Sequence, residues 1–595
     1  MFLAGCGPGI DAARYMRHVS YLAGDELGGR GVGTPGIDLA AGYIAGQFQE
    51  AGLQPAGPDG TWFQPFEMSI GQELKNPSLV VAGEGDKPWP AAVLEKDFIP
   101  LTGSSGEKFE GPLAFAGYGI THKDEHYDDY ADFDARGKVL LMLRYEPRAA
   151  DENAKFGGRN PSSHATFRSK AALARKNGAV AVLIVNPPLH HGEKDELTPF
   201  RSTERAGRLG LPVLHVSREF AARLLAAGGL DDLETLQKAL DEKRRPRSAD
   251  LKGLTVTGEP GVVPKTVTAR NVVGLLPGRG PKADEYVVVG AHYDHLGRTP
   301  PRRPTGSAPA GEAQIHNGAD DNASGTAGLI ELARAFGARG APRRSLLFIA
   351  FSGEELGLFG SAHYVDHPLV PIEKTVAMLN LDMIGRMRGD KVDVLGIDTA
   401  REFDALIRPR GERLGLKVNA GTGGFGPSDH ASFYKKKVPA VHFFTGLHNE
   451  YHMPEDDAAT INAPGAARVV RFVYQVADAL AGARGRPTYT PAKPREAPRT
   501  GLKVRLGVLP SYAQDDRPGM LIEGTSPGSP AAKAGLREGD RLLRIGDQEV
   551  NDVYGLMDAL ARYNPGDTAR LSIVRGDKKL ELHVTFEASA SAPSP

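Results

Sequence analysis

Short apolar runs that end in acidic or histidine side chains recur through the middle of this chain. The run YVVVGA precedes His292 and Asp294, LLFIAF precedes Glu354 and Glu355, and VAMLNL precedes Asp382. Continuous apolar stretches of this length, bounded by glycine and polar residues, indicate strands buried in a parallel sheet. The pattern therefore predicts an open α/β sheet with helices on both faces.

The polar side chains at these strand ends form a candidate ligand set. In an open α/β sheet, ligands bind at the carboxyl ends of the strands, so these side chains are expected to converge. The stretch HNGADDNASG adds a pair of aspartates, and HNEYHMPEDD adds a histidine. The set is His292, Asp294, Asp320, Asp321, Glu354, Glu355, Asp382 and His452.

The carboxylates in this set would repel each other if nothing positive lay among them. Two carboxylates about 4 Å apart cost about 4 kcal/mol at an effective dielectric constant near 20. Several such pairs approach the net stability of a whole domain, which is ~5–15 kcal/mol. No lysine or arginine lies within the motif cores, whereas carboxylates and imidazoles together suit zinc. The sequence therefore predicts a metal site.

Each motif also has a plainer interpretation when it is taken alone. His292 and Asp294 could be a surface pair, Asp321 could help to cap the following helix, and Glu354 and Glu355 could favour the start of a helix. These interpretations do not explain why all the motifs fall at strand ends. The metal site accounts for them together.

The order of the motifs resembles that of the co-catalytic zinc aminopeptidases of peptidase family M28. The motifs are H-x-D, G-A-D-D-N-A-S-G, G-E-E-x-G, N-x-D-M, S-D-H-x-x-F and Y-H, in that order. The resemblance covers roughly residues 265–485, and residues 18–36 resemble the usual N-terminal opening of that family. It implies a zinc exopeptidase fold, in which one sheet lies between two layers of helices.

The resemblance also implies roles for the candidate residues around two Zn²⁺ ions. Asp320 would bridge the ions, His292 and Asp382 would complete one metal, and Glu355 and His452 the other. Glu354 would be the general base, an assignment that the spacing alone cannot make between the two glutamates. A cis peptide bond between Asp320 and Asp321 is a further implication of the resemblance.

Asp294 is predicted to orient His292 rather than to bind metal. It follows His292 by two positions along an extended strand, so both side chains project to the same side. Its carboxylate can then accept a hydrogen bond from the imidazole nitrogen that does not bind metal. The remaining histidines near the motifs are predicted to be structural or rim residues: His295, His316, His363, His430, His442 and His448.

With 595 residues, the chain is expected to form several domains. One segment resembles a protease-associated (PA) domain, with GPLAFAGYGI, DFDARGKVLLMLR, KAALARKNGAVAVLIVN and LPVLHVS as its strands and helix. A later one, containing GMLIEGTSPGSPAAKAGLREGD, resembles a bacterial PDZ domain. Both are expected to be small and β-rich.

The predicted bounds are 1–8 for a lipobox-like remnant, 9–108 for the N-terminal part of the peptidase domain, 109–255 for the PA insert, 256–485 for the catalytic domain, 486–500 for a proline-rich linker and 501–588 for the PDZ domain.

The PDZ-like segment suggests a second binding site. Backbone donors near Gly519, Met520 and Leu521 are predicted to capture the terminal carboxylate of a peptide that adds as a strand. The alternative is that this segment binds nothing and only packs.

The composition and the first residues bear on partners and location. A formal net charge of −1 gives no electrostatic reason to expect nucleic acid as a partner. Cys6 is the only cysteine, so an intrachain disulfide is excluded. The stretch LAGC, which ends in Cys6, resembles the lipobox of bacterial lipoproteins, although no charged or apolar export segment precedes it. We therefore expect a secreted or envelope-attached protein, lipid-anchored at Cys6 if its true N-terminus is longer.

Together these observations predict a zinc aminopeptidase that acts on peptide substrates and carries PA and PDZ domains. Two alternatives stay open at this point. The same core could serve a carboxypeptidase or a dipeptidase, or the chain could be an inactive scaffold that binds through its PA and PDZ domains.

Overall fold

The computed structural model describes residues 9–83, 89–123, 125–149, 162–189, 195–200, 208–243, 247–299, 313–421, 426, 428–491, 504–510, 519–525, 528–550, 553–576 and 578–588. The chain divides into two compact units. One comprises the residues up to Met68 together with those from Val267 onward, and the other runs from Ser69 to Thr266. Cys6 and the rest of the lipobox-like stretch lie outside the described residues, and the location inferred from them stays a prediction.

Helices and strands are numbered in chain order. The helices are α1 (Ala12–Leu22), α2 (Pro35–Glu50), α3 (Phe167–Lys176), α4 (Arg218–Ala227), α5 (Leu233–Lys243), α6 (Gly325–Arg339), α7 (Phe359–Asp366), α8 (Phe403–Arg413), α9 (His430–Lys435), α10 (Ala463–Gly482), α11 (Pro530–Lys533) and α12 (Val553–Leu560). Within the described part of the chain, none of them is long and apolar enough to cross a membrane.

The first unit is built on a nine-stranded sheet with the order β1-β12-β16-β13-β17-β20-β18-β19, in which β2 also pairs with β12. Strands β16, β13, β17 and β20 run parallel to one another. A short hairpin, β14 (Gly297–Thr299) and β15 (Gln314–His316), follows β13. The sheet strands are β1 (Gln54–Pro55), β2 (Phe63–Leu74), β12 (Val262–Leu276), β13 (Tyr286–His292), β16 (Ser345–Phe351), β17 (Thr375–Leu381), β18 (Lys391–Leu395), β19 (Lys417–Gly421) and β20 (Ala440–Phe444).

Helices cover both faces of this sheet. Alternate residues of β13 enter different hydrophobic cores, with Val287 and Val289 on one side and Val288 on the other. The first core contains Leu332 of α6 and residues of α1, α2, α8 and α10. The second contains Phe433 of α9 and residues of α7. The three-layer α/β fold expected from the apolar runs is therefore confirmed.

The second unit contains a seven-stranded sheet with the order β3-β11-β5-β8-β9-β10-β4. It starts well before the predicted segment 109–255, because β3 pairs with β11 and β4 with β10. Helices α3, α4 and α5 belong to the same unit. The strands are β3 (Ser78–Ala82), β4 (Phe98–Pro100), β5 (Phe109–Phe115), β8 (Val139–Leu143), β9 (Ala181–Val185), β10 (Val213–Val216) and β11 (Ala249–Glu259), beside a separate pair, β6 (Thr121–His122) and β7 (Tyr127–Asp128).

The C-terminal segment has strands and a hydrophobic core of its own. Its main sheet has the order β22-β23-β24-β26-β27, with β25 paired to β24 and a separate pair formed by β21 and β28. The strands are β21 (Val504–Arg505), β22 (Val508–Pro510), β23 (Met520–Thr525), β24 (Arg541–Ile545), β25 (Gln548–Glu549), β26 (Thr568–Arg575), β27 (Lys578–Thr585) and β28 (Glu587–Ala588). This is the small β-rich domain that the sequence predicts.

Candidate metal centre

Adjacent parallel strands bring the predicted ligands to one edge of the first sheet. β13 lies between β16 and β17 and ends in His292. β16 is followed by Glu354 and Glu355, and β17 by Asp382. Because neighbouring parallel strands end at the same edge, their next residues meet there. His452 reaches the same place from the segment after β20.

One cluster of donor atoms forms around His292, which is buried. Its Nε2 lies 3.3 Å from Oδ1 of Asp382 and 3.3 Å from Oδ1 of Asp321. An oxygen of Glu354 is 3.9 Å away. The other ring nitrogen, Nδ1, lies 3.2 Å from the backbone oxygen of Asp294. A hydrogen bond from Nδ1 to this carbonyl leaves Nε2 free to bind a metal.

A second cluster adjoins the first through the same aspartate. Nε2 of His452 lies 3.1 Å from Oδ2 of Asp321 and 3.1 Å from Oε2 of Glu355. Nδ1 of His295 lies 2.6 Å from the other oxygen of Glu355. The two carboxylate oxygens of Asp321 thus face different histidines, one in each cluster.

The structure corrects the predicted role of Asp320. This residue points away from both clusters, since its Oδ1 accepts a hydrogen bond of 2.6 Å from the backbone of Gly385 and its Oδ2 lies 3.3 Å from Nε2 of His448. Asp321 instead lies between the two clusters, with one oxygen near His292 and the other near His452. In the wide helical turn that holds them, adjacent side chains diverge, so only one of the two aspartates can enter the site.

The backbone of this turn, Ala319–Ser324, is held by Asp456. The carboxylate of Asp456 accepts hydrogen bonds of 3.1 Å from the amides of Asp320 and Asp321. The cis peptide bond lies between Asp321 and Asn322, one residue later than expected.

Asp294 supports the site differently from its predicted role. Its carboxylate is 3.8 Å from Nδ1 of His292, too far for a hydrogen bond, and its backbone oxygen takes that place. The carboxylate instead accepts hydrogen bonds from the backbone amides of Glu354 and Glu355, at 3.2 and 3.3 Å. Asp294 therefore fixes the turn that presents both glutamates.

Burial and charge shift the pKa values across the site. Burial raises the pKa of Glu354 well above its ordinary value, and the nearby Glu355 and Asp382 add to this shift although His292 opposes it. Burial lowers the pKa of His452, but its contacts with Asp321 and Glu355 outweigh burial and raise that pKa to about 10. The buried carboxylates of the site therefore interact strongly with its histidines.

The site opens to solvent on one side. The side chains of His452, Asp382 and Glu354 are 21%, 13% and 11% exposed, whereas those of Asp321 and His292 are 5% and 1% exposed. A bound molecule would therefore meet Glu354, Asp382 and His452 first.

A buried arginine lies behind the carboxylates. The Arg30 side chain is fully buried, and its guanidinium donates hydrogen bonds to backbone oxygens of Tyr293, Asn317 and Gly318 at 2.9, 2.7 and 2.9 Å. A further one goes to Leu22. Burial lowers the pKa of Arg30 to about 10, while nearby carboxylates raise it, so Arg30 is a cation at neutral pH.

The other histidines have varied surroundings. His295, predicted to be a structural or rim residue, contacts Glu355 of the second cluster. His448 lies beside Asp320. His430 is buried and stacks on His442, with ring centroids 4.9 Å apart.

Sequence reasoning overlooked several of these residues. The repeated aspartate offered two bridging candidates without a signal to separate them. The stretch HYDHLG pointed to His295 as readily as to its neighbours, and MPEDD contained Asp456. Arg30 lies in the opening GGRGVG, outside the cores of the acidic and histidine motifs.

The predicted carboxylate-binding donors of the PDZ-like segment lie at the start of β23. Met520 and Leu521 pair with β24, and the pairing of β23 with β22 lies between Ile522 and Thr525. The amide of Met520 donates to the backbone oxygen of Val550, and the backbone oxygen of Gly519 accepts from Arg541. Of the predicted donors, the amide of Met520 is therefore already used within the domain.

The donor set and its spacing fit zinc. Ligand atoms placed about 2.0–2.2 Å from a tetrahedral ion lie about 3.3 Å apart. The contacts of His292 Nε2 with Asp382 and Asp321, at 3.3 Å, and those of His452 Nε2 with Asp321 and Glu355, at 3.1 Å, match this spacing. His292, Glu354 and Asp382, and separately His295, Asp321 and Glu355, offer donor atoms close enough together for one ion each.

Comparison with protein families gives three matches along the chain. Residues 271–477 match Peptidase family M28, residues 109–224 match the PA domain, and residues 504–586 match the PDZ domain. The M28 match contains both donor clusters.

Individual relatives are aminopeptidases by name. The aminopeptidase YwaD of Bacillus subtilis is 28% identical over 341 residues, which are 55% of this chain and 59% of the relative. An aminopeptidase of Pseudomonas aeruginosa is 26% identical over 75% of this chain and 72% of its own. The solved structure of BSAP, a zinc aminopeptidase from Bacillus subtilis, is 23% identical with a TM-score of 0.45, covering 80% of this chain and 97% of that one.

Proposed function

Because this chain carries a catalytic domain of peptidase family M28 together with a PA and a PDZ domain, we propose that it is a zinc-dependent aminopeptidase. It would hydrolyse the first peptide bond of peptides with a free N-terminus. The names of the relatives in Bacillus and Pseudomonas support this choice.

The observation that carries the proposal is the sharing of Asp321 between the two donor clusters. One oxygen faces His292 and the other faces His452, at 3.3 and 3.1 Å. We propose that Asp321, with His292 and Asp382, holds one Zn²⁺ ion and that Asp321, with Glu355 and His452, holds a second.

The bound ions would supply an acidified water and polarise the carbonyl of the scissile bond. Asp294 holds the backbone of Glu354 and Glu355 through their amides, which fixes where each carboxylate points. The nitrogen Nδ1 of His292 donates to the backbone oxygen of Asp294, so its Nε2 keeps its direction toward the site.

Glu354 is the general base in this proposal. Glu355 uses one oxygen for His452 and the other for His295, whereas Glu354 comes only within 3.9 Å of His292. The carboxylate of Glu354 can therefore take a proton from the attacking water and deliver it to the leaving amine. Its raised pKa suits a group that must give the proton back.

The aminopeptidase names of the relatives favour this activity over the carboxypeptidase alternative. The inactive scaffold is disfavoured because both clusters and the base have converged.

The test is hydrolysis of matched peptides that have a free N-terminus, an acetylated N-terminus or a free amine with an amidated C-terminus. We expect cleavage of the first and third, no cleavage of the second, loss of activity on chelation and recovery with zinc. Cleavage that persists when the N-terminus is acetylated but stops when the C-terminus is amidated would contradict the proposal and favour a carboxypeptidase.

The PDZ domain is proposed to bind peptide C-termini at β22 rather than at β23. Among the described strands, β22 pairs only with β23, so a peptide strand can add along its other edge. Val508→Pro would disrupt this edge, since proline lacks a backbone donor. We expect the full chain to bind peptides with a free C-terminal carboxylate in titration calorimetry and the variant to lose this binding, with an unchanged unfolding transition of the variant as the control for misfolding. Equal binding of amidated peptides would contradict the proposal.

A further inference from the structure

Arg30 is joined to two of the chain segments that lead into the donor clusters. Its Nε donates to the oxygen of Tyr293, which lies between His292 and Asp294. Its terminal nitrogens donate to the oxygens of Asn317 and Gly318, which immediately precede the turn carrying Asp321. One planar side chain therefore connects the end of β13 with the start of that turn.

The turn that carries Asp321 is held from two directions. Arg30 binds its incoming carbonyl, that of Gly318, while Asp456 binds the amides of Asp320 and Asp321. Because a cation holds the oxygen and an anion holds the nitrogens, the peptide groups between them have a fixed orientation.

The segment Asp25–Arg30 is itself locked in place. A Cβ atom on Gly29 would lie only 2.4 Å from the oxygen of His316, so only glycine permits this close approach. Asn317 donates to Asp25 at 2.8 Å, and the amide of His295 donates to the oxygen of Arg30 at 3.2 Å. The position of the guanidinium is therefore set by a tightly packed backbone.

The charge of Arg30 is directed at the carboxylates of the site. Asp321, Asp294, Asp456 and Glu355 all interact electrostatically with it. A permanent cation here reduces the repulsion among these acids before any metal arrives.

We infer that Arg30 is a positioning residue of the metal site, which holds the ligand segments in their metal-binding arrangement and partly neutralises them. This rests on the proposed function only in that the site binds zinc. A guanidinium is needed because it is planar and its N–H donors can reach several carbonyl oxygens at once. A lysine ammonium carries the same charge but lacks this planar arrangement of donors.

The chain offers a matched control in Arg344. This arginine is also fully buried, and it donates to backbone oxygens of Leu480, Ala483 and Gly485 and to Glu285. It precedes β16 and so lies at the opposite end of that strand from Glu354. Arg344→Lys should lower stability as any replacement of a buried arginine does, without affecting the metal site.

The experiment compares the full-length Arg30→Lys and Arg344→Lys proteins with the wild type. Zinc affinity is measured by competition with a chelator, and the metal environment by the visible absorption of the cobalt-loaded protein. We expect Arg30→Lys to bind zinc about 10–100-fold more weakly and to show a changed cobalt spectrum. Arg344→Lys should lower the unfolding temperature but keep the wild-type affinity and spectrum.

A third variant serves if Arg30→Lys does not fold. Asp25→Ala removes only the hydrogen bond to Asn317, and we expect it to weaken zinc binding about fivefold, the equivalent of one ordinary hydrogen bond. Wild-type affinity and spectrum in the folded Arg30 variant, or in Asp25→Ala if only that folds, would overturn the inference, as would equal losses in Arg344→Lys. Wild-type protein that binds zinc yet cleaves no peptide would refute the proposed function alone.

Discussion

Asp320 and Asp321 are adjacent in the chain but have different surroundings. Asp321 faces a histidine with each of its oxygens, whereas Asp320 accepts from the backbone of Gly385 and neighbours His448. Chemically identical side chains are thus separated into a ligand and a structural residue by the direction in which the turn presents them.

This difference gives a prediction for zinc content. Asp321→Asn should lower zinc affinity by more than about 100-fold, beyond the range typical of residues that only support ligands, because it removes charge from both clusters. Asp320→Asn should cost about 1–3 kcal/mol of stability and retain zinc. Elemental analysis after dialysis checks both, and loss of zinc in Asp320→Asn but not in Asp321→Asn would restore the assignment suggested by the motif alone.

Glu354→Gln tests the general base. The amide keeps the shape of the side chain but cannot take a proton, so kcat should fall by ~10²–10⁴ while zinc stays bound. Steady-state kinetics with parallel zinc analysis measures this. Glu373→Gln, at an exposed position, is the control and should retain wild-type kinetics. Full activity in Glu354→Gln would show that another group accepts the proton.

At the scale of elements, α1 and α6 are joined by a partly buried ion pair. Glu331 of α6 is buried and accepts from Arg14 of α1 at 2.6 and 3.1 Å. α6 follows directly on the turn that carries Asp321, so this pair anchors the helix from which the bridging ligand is presented.

Glu331→Gln should lower the free energy of unfolding by about 1–3 kcal/mol at neutral pH, since it breaks a charge-assisted pair. Burial alone would raise the pKa of Glu331, but hydrogen bonds from His18, Arg14 and Arg334 lower it to about 2. The stabilisation is therefore complete above the ordinary pKa of 4.5 and is lost as the pH falls toward 2.

Urea unfolding of wild type and Glu331→Gln at several pH values measures this effect. The difference between the two proteins should shrink below pH 4.5. Asp404→Asn, which removes an exposed pair with Arg408 on α8, is the control and should change stability by less than about 1 kcal/mol. A difference that stays constant down to pH 2 would contradict the prediction.

Sequence predicted those elements whose local pattern of apolar and polar residues allows few structures. The buried strands could be located from sequence because an apolar run ending in His292 or Asp382 has few other structural solutions. The choice between Asp320 and Asp321 could not, because within an irregular turn no periodicity says which side chain points inward. Arg30 was overlooked because its role comes from hydrogen bonds to backbone oxygens far along the chain, which leave no pattern in its own neighbourhood. The predicted start of the PA domain at residue 109 agrees with the family match, whereas the compact unit begins at Ser69 because β3 pairs with β11, far along the chain.

At the scale of the whole molecule, the candidate ligands all lie in one of the two compact units. Among its described residues, the segment from Ser69 to Thr266 contributes none to either donor cluster. Zinc should therefore stabilise only the unit that contains the clusters, since a ligand that binds the folded state shifts its unfolding equilibrium.

Calorimetry with and without zinc should show that the metal shifts the unfolding of one unit and not of the other. We expect chelation to lower the unfolding temperature of the peptidase unit and to leave that of the unit from Ser69 to Thr266 unchanged. At free zinc 100 times the dissociation constant, each site adds about 2.7 kcal/mol. Hydrogen exchange with and without zinc assigns the transitions, and equal protection of both units by the metal would contradict the expectation.

The residues that make up the metal site are widely spaced along the chain, from Arg30 near its start to His452. A ribosome releases them in that order. A nascent chain that has emerged only as far as Asp382 would already contain His292, Asp321 and both glutamates, with Arg30 beside them but without the last imidazole. The proposed ligands of one ion would then already be present, whereas the second ion could not be held until translation had passed His452.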